Sequence, residues 1–146
     1  MIRIALSAAN IEFEDVFPNC GYPPSEEAVL EWRKIGGNTT TNIPMLVTSN
    51  GKVYTQSCAI LRAVGRMGNL MPVSDDDLYL TDKLIADAED FRVLAYKTFL
   101  SWGAPKESYD KFMEKDLPLH FGNFERQLVE RGGDYFVVSY KSDFCH

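Results

Sequence analysis

The chain has 146 residues, 45% hydrophobic and 12% aromatic, which excludes an intrinsically disordered polymer and fits one domain or two small ones. Its formal charge of −6 is unevenly placed: residues 1–72 hold six basic and six acidic side chains, whereas residues 73–146 hold nine and fifteen. A field of that sign repels nucleic-acid phosphates and anionic lipid headgroups and so disfavours polyanion binding as the main role. No apolar run approaches the roughly 18 residues of a membrane helix, and Met1-Ile2-Arg3 does not open a signal peptide. Three widely spaced cysteines (Cys20, Cys58, Cys145) and two distant histidines (His120, His146) give no zinc spacing, no CxxC and no disulfide framework. A cytoplasmic protein without a metal, a nucleic-acid partner or a membrane partner is the expectation.

The sequence changes style near residue 72. Short apolar runs punctuated by Gly, Pro and Asn come first and long helical patterns follow, which divides the chain into an α/β unit, 1–72, and a helical unit, 73–146. Ile2, Ala5, Leu6 and Ala9 recur at helical spacing, with Asn10 as the stop. Ile11 to Phe17 alternates apolar and acidic residues with period two, the pattern of a half-buried strand that Pro18 ends. Ser25-Glu26-Glu27 caps a short helix through Trp32. Met45 to Thr48 and Val53 to Thr55 flank Ser49-Asn50-Gly51-Lys52; Asn-Gly between apolar runs signals a hairpin whose two turn residues tolerate positive φ. Ile60, Leu61 and Val64 then form the apolar face of a helix closed by Gly68.

In the helical unit, Ser74 and Asp77 resemble a capping box. The helix they open is expected to bury Leu84, Ala88, Phe91 and Ala95. Leu117, Phe121, Phe124 and Leu128 repeat those offsets before Arg131-Gly132-Gly133 ends a second helix. Two such stripes cannot cover each other fully, so this unit calls for a further partner.

The most specific constellation is Ile43-Pro44-Met45-Leu46-Val47, Gly51, and Gln56-Ser57-Cys58-Ala59-Ile60-Leu61-Arg62. A cis peptide at Ile43-Pro44 would turn the Ile43 main chain outward to pair with an extended ligand, as an added strand would. Ser57, where strand meets helix, can cap the helix, and the first-turn N–H groups form an anion site suited to a carboxylate. An ordinary N-cap serine and a strand-entry proline would produce the same residues without a ligand.

This segment resembles the glutathione-binding signature of the cytosolic glutathione transferases, in which a cis-proline precedes a hairpin and then Gln-Ser-x-Ala-Ile-Leu-Arg. The resemblance runs upstream through 2–6 and 11–16 and downstream through 84–92 and 132–137, with 18–42 its weakest part. It points to the tyrosine-type group that includes sigma, pi, mu and alpha. It implies a thioredoxin-like N-terminal unit and an all-α C-terminal unit. It also implies that Gln56 and Ser57 hold the γ-glutamyl end of glutathione while the Ile43 main chain, beside Pro44, pairs with the cysteinyl unit. Asn42 takes the place before Ile43 where the family often has Gln. Trp32 matches a tryptophan near the glycyl carboxylate, and a core aromatic would look the same. The lysine that often follows is Gly36 here, so Arg33 or Lys34 would substitute. Asp90 matches an aspartate that reaches the glutathione amine of a neighbouring subunit; a solvated helix face with a Lys83–Asp87 pair is the alternative.

The resemblance further implies a small hydrophobic electrophile as second substrate, a homodimer, and glutathione as co-substrate with no bound cofactor. The tyrosine or serine that stabilises the glutathione thiolate belongs to a strand that has no counterpart in this sequence, so no residue here is assigned as catalytic. Both units are expected to be incomplete, with Phe13 to Val16 lacking a strand neighbour. Conjugation by the complete protein is the leading expectation. The alternatives are a non-catalytic glutathione-binding or dimerisation module and a structural, crystallin-like relative.

Overall fold

A computed structural model of the protein describes residues 1–16, 25–35, 43–99 and 105–137. The chain divides into two compact units, Met1–Met71 and Pro72–His146. The first is α/β: α1 (Ile2–Ala8), α2 (Glu26–Lys34), β1 (Met45–Val47), β2 (Val53–Thr55) and α3 (Ser57–Met67). The described part of the second is helical: α4 (Asp75–Phe99), α5 (Lys106–Lys111), a π-helical turn (Phe112–Asp116) and α6 (Leu117–Glu130).

The core of the first unit lies between α1 and α3. Leu6, Ile60 and Val64 are buried, and Ile2, Ala5, Ala9, Ile11, Leu46 and Tyr54 pack around them. Leu46 and Tyr54 are paired residues of the β1–β2 ladder, so one face of the hairpin closes over the two helices. Both helices end in Schellman geometry with asparagine, rather than glycine, in the left-handed position. For α1, Asn10 (φ 51°) donates from its N–H to Ser7 O at 3.1 Å, and Ile11 donates to Leu6 O at 3.0 Å. For α3, Asn69 (φ 53°) donates to Arg66 O at 3.3 Å and Leu70 to Gly65 O at 2.7 Å. Asparagine tolerates this conformation because its short polar side chain relieves the clash that other residues meet there.

Gly68 is the C-cap that closes α3, as read in the sequence, and it has a second task. A Cβ on it would lie 2.3 Å from the Ala9 Cβ and 3.0 Å from the Ala9 Cα, so its hydrogen lets the ends of α1 and α3 touch. Gly68→Ala is expected to destabilise the first unit by about 1–3 kcal/mol through overpacking, read as a lower midpoint in chemical denaturation; an unchanged midpoint would show that the helix ends are free to separate.

Two local expectations are corrected. Ile11 to Val16 does not form a strand: the ladder among the described residues is β1 with β2, and 11–16 takes no part in it. Period-two alternation describes a ribbon with two faces, but a strand exists only through hydrogen bonds to a neighbour, and here Asp15 is instead held to Arg3 at 2.9 Å. The remainder of that pattern, Phe17 and Pro18, lies outside the described residues. In the hairpin, positive φ falls on Gly51 alone (80°). Gly51 N–H donates to Thr48 O at 2.8 Å and Thr48 N–H to Lys52 O at 3.0 Å, the pattern of a three-residue loop with one left-handed residue. Asn50 contributes through its side chain, whose Oδ1 accepts from Thr48 Oγ1 at 2.6 Å.

In the second unit, Ser74 caps α4: the Asp77 N–H donates to its Oγ at 3.1 Å. The carboxylate of Asp77 accepts from the Ser74 hydroxyl at 2.7 Å. Asp is one methylene shorter than the usual Glu of a capping box. The α4 stripe is half-buried at Leu84, Phe91 and Ala95, but Ala88 is exposed, as is Phe121 on α6. Among the described residues of this unit the buried aromatic is Phe112, 2% exposed, which neither stripe contains. Rings converge on it and its neighbours: Phe91–Phe112 at 5.9 Å, Phe99–Phe112 at 4.9 Å, Phe91–His120 at 5.4 Å and Phe91–Phe121 at 5.6 Å between centroids. Such pairs contribute about 0.5–1.5 kcal/mol each beyond area burial. The α6 helix ends at Arg131-Gly132-Gly133 as its sequence indicates, with Gly133 N–H donating to Leu128 O at 2.9 Å.

A polar clasp joins α4 to α6. Lys83 Nζ lies 2.6 Å from Asp87 Oδ2 and donates to Gln127 Oε1 at 3.0 Å, while Gln127 Nε2 donates to Asp87 Oδ2 at 3.2 Å. The hydrogen bond from Lys83 outweighs desolvation and, with help from Gln127, holds the Asp87 carboxyl below its ordinary pKa. A carboxyl with a depressed native pKa stabilises the fold above its unfolded value, and the contribution disappears as pH falls through the native value. The stability difference between the wild type and Asp87→Asn is therefore expected to be fully present above about pH 4 and to shrink below it, measured by urea denaturation across a pH series. A difference that grows on acidification would contradict the clasp.

Candidate functional site

The elements around the hairpin place a candidate site at the open end of the β1–β2 ladder. The register Met45↔Thr55, Leu46↔Tyr54, Val47↔Val53 is antiparallel. Met45 and Thr55 end the ladder opposite one another, so the Ile43–Pro44 segment entering β1 and the Gln56–Ser57 segment leaving β2 meet the hairpin at the same end, although they are 12 or more residues apart along the chain. The Ile43–Pro44 peptide is cis, as its sequence context leads one to expect, and the Ile43 side chain is exposed.

One residue separates the end of β2 at Thr55 from the start of α3 at Ser57. Gln56 must turn the chain from strand to helix alone, and it does so at φ 68°, ψ 116°, a left-handed value unusual for a residue with a side chain. This corrects the assignment of Ser57 as the helix cap. Gln56 is the N-cap residue and makes no side-chain capping bond, while its carbonyl accepts the first helical bond from Ile60 N–H at 2.9 Å. Ser57 is the first residue inside the helix and is half-buried. Its hydroxyl is thereby placed beside the first-turn N–H groups, which by helix geometry have no acceptor within the helix. Together with the positive end of the dipole, these groups suit a carboxylate.

The conformation of Gln56 is the feature that residue types alone did not reveal. Its signal was nonetheless present: Thr55 and Ser57 leave no room for a Gly- or Pro-containing connection. Backbone strain of this kind costs about 1–3 kcal/mol and persists where the surroundings impose it. Gln56→Gly is expected to raise the unfolding midpoint by removing that strain; a lowered midpoint would show that the Gln56 side chain holds the junction.

The remaining residues of the signature are placed as follows. Trp32 is buried (7% exposed) on α2, whose N-terminus is capped by the Ser25 Oγ accepting from Ala28 N–H at 3.2 Å. Its burial is what a core aromatic requires as well. Lys34 Nζ pairs with Glu31 Oε1 at 2.5 Å on the same helix. A shallow surface concavity of about 420 Å³ along α2 is lined by Glu27, Leu30, Glu31, Arg33 and Lys34. All of these belong to one helix and none to the hairpin. Asn42 lies outside the described residues. Asp90 lies in the second unit, exposed on α4. Its neighbour Glu89 accepts from Arg92 Nε at 2.8 Å, a contact that lowers the Glu89 pKa. Among the described residues no group of three or more His, Cys, Asp or Glu side chains could hold a metal ion, and no helix is long and apolar enough to cross a membrane.

Residues 1–66, which contain the hairpin, the cis-proline and the start of α3, match the family model described as glutathione S-transferase, N-terminal domain. A curated relative, the class-mu 28 kDa isozyme of glutathione S-transferase from Schistosoma japonicum, is 32% identical over 144 residues, covering 93% of this chain. Residues 1–66 are thus a glutathione S-transferase N-terminal domain. The chain spans 65% of the length of that relative. The first unit is therefore the thioredoxin-like N-terminal domain, and the helices from α4 onward form the region that follows it.

Proposed function

We propose that residues 1–71 bind glutathione and that the complete protein conjugates it to small hydrophobic electrophiles. The observation that carries this reading is the antiparallel pairing of Met45 with Thr55, because the cis Ile43–Pro44 segment and the Gln56–Ser57 start of α3 adjoin that same end of the hairpin. In this reading the γ-glutamyl carboxylate accepts from the first-turn N–H groups of α3 and from the Ser57 hydroxyl, with Gln56 alongside. The Ile43 main chain pairs with the cysteinyl unit as a short added strand, a mode in which main-chain hydrogen bonds give affinity and side chains give selectivity. Asn42 flanks that segment, and Trp32 borders the glycyl end. Asp90 would meet the glutathione amine of a second copy of the chain, which makes a homodimer part of the proposal.

Conjugation requires the glutathione thiol to ionise near neutral pH, because the thiolate is the nucleophile. No residue of the present sequence is assigned the hydroxyl that stabilises it. Binding and turnover are therefore separate tests. Glutathione titrated calorimetrically into the 146-residue protein is expected to bind, and Ser57→Ala to weaken binding about tenfold or more, the loss of one hydrogen bond to a charged group. Unchanged affinity in Ser57→Ala would remove Ser57 from the site. Binding without conjugation of a chromogenic electrophile, in a protein that also carries the thiolate-stabilising hydroxyl, would favour a binding or dimerisation module over an enzyme. Absence of glutathione binding would favour a structural, crystallin-like role.

A further inference from the structure

The π-helical turn Phe112–Asp116 interrupts an otherwise continuous helical run from Lys106 to Glu130. Within it the Leu117 N–H donates to Phe112 O, five residues back rather than four. The following residue, Pro118, supplies a cause: proline has no N–H for the helical ladder, and its ring collides with the carbonyl four residues earlier, here that of Glu114. Widening the turn by one residue relieves that collision. A second contact fits the same register. Lys111 Nζ lies 3.6 Å from Asp116 Oδ2, the lysine 65% and the aspartate 19% exposed. In an α-helix, side chains five apart diverge by about 140° and do not pair; absorbing one residue in the turn brings them near alignment.

The turn also decides which rings meet. Phe112 and His120 both pack on Phe91, at 5.9 Å and 5.4 Å. Eight residues separate them, which in an uninterrupted α-helix places them about 80° apart. With one residue absorbed they behave as a pair seven apart, within about 20° of one face. The aromatic centre of the second unit thus requires the wider turn.

We infer that the π turn is a register hinge, closed by Pro118 and the Lys111–Asp116 pair, with an all-α register as its open state. Returning the turn to α geometry rotates α5 by about 100° relative to α6 and withdraws Phe112, and Tyr109 with it, from Phe91 and Phe99. Phe99 and Tyr109 are in edge contact at 5.5 Å, so both ring contacts of Phe99 report the change.

The test uses the full 146-residue protein carrying Pro118→Ala with Lys111→Ala and Asp116→Ala, examined by nuclear Overhauser contacts between the Phe91 and Phe112 rings and by far-ultraviolet circular dichroism. Helical content is expected to persist while the Phe91–Phe112 contact falls at least twofold relative to the wild type. A companion variant with Pro118 retained and the charges exchanged, Lys111→Asp with Asp116→Lys, is expected to keep the wild-type contact. Retention of the full ring contact in the triple variant would overturn the hinge. If the triple variant does not fold, the charge-exchanged protein decides against Lys111→Ala/Asp116→Ala: a stronger ring contact in the exchanged protein supports the register role, and equal contacts overturn it.

Discussion

The candidate site depends on the register of a hairpin only three paired residues long on each side. Strands this short have little stability of their own, so what fixes Met45 opposite Thr55 must come from the loop and from one packed face. The loop closes through a single left-handed glycine, Gly51. The packed face is Leu46 beside Tyr54, resting on Leu6, Ile60 and Val64. A slip of one residue on either strand would turn its packed side chain, Leu46 or Tyr54, away from that face. The close approach of Gly68 to Ala9 belongs to the same chain of dependence, because it seats α1 on α3 and so completes the surface on which the hairpin rests.

Much of this was legible from local rules. Ser25 caps α2 and Ser74 caps α4 because a short hydroxyl side chain ahead of a helical pattern has few better uses. The cis Ile43–Pro44 peptide and the Asn50-Gly51 turn were also visible in the residue types. The expectations that failed share one physical cause: they concern interactions with something not encoded in the local pattern. A strand at 11–16 needed a neighbour. The positive φ at Gln56 follows from the one-residue connection between two elements whose limits the pattern alone gave only roughly.

The second unit shows how one irregular turn defeats periodic reading. Offsets of 0, 4, 7 and 11 on two helices describe α4 and α6 as regular cylinders, yet Ala88 and Phe121 on those stripes are exposed and the buried ring is Phe112. Pro118 was in plain view, but proline near a helix start is ordinary. Its effect here lies upstream, in the widened turn that precedes it. The burial of Phe112 follows from that turn and not from the hydrophobicity of its own segment.

Charge placement bears on how an anionic tripeptide would be held. Residues 1–72 have equal numbers of acidic and basic side chains, and the whole excess of −6 lies in 73–146. Recognition of a carboxylate at the start of α3 would therefore rest on main-chain N–H groups, the helix dipole and the Ser57 hydroxyl, not on a cluster of cations. Fixed dipoles of this kind need no charged side chain to be stripped of water, and they act at short range.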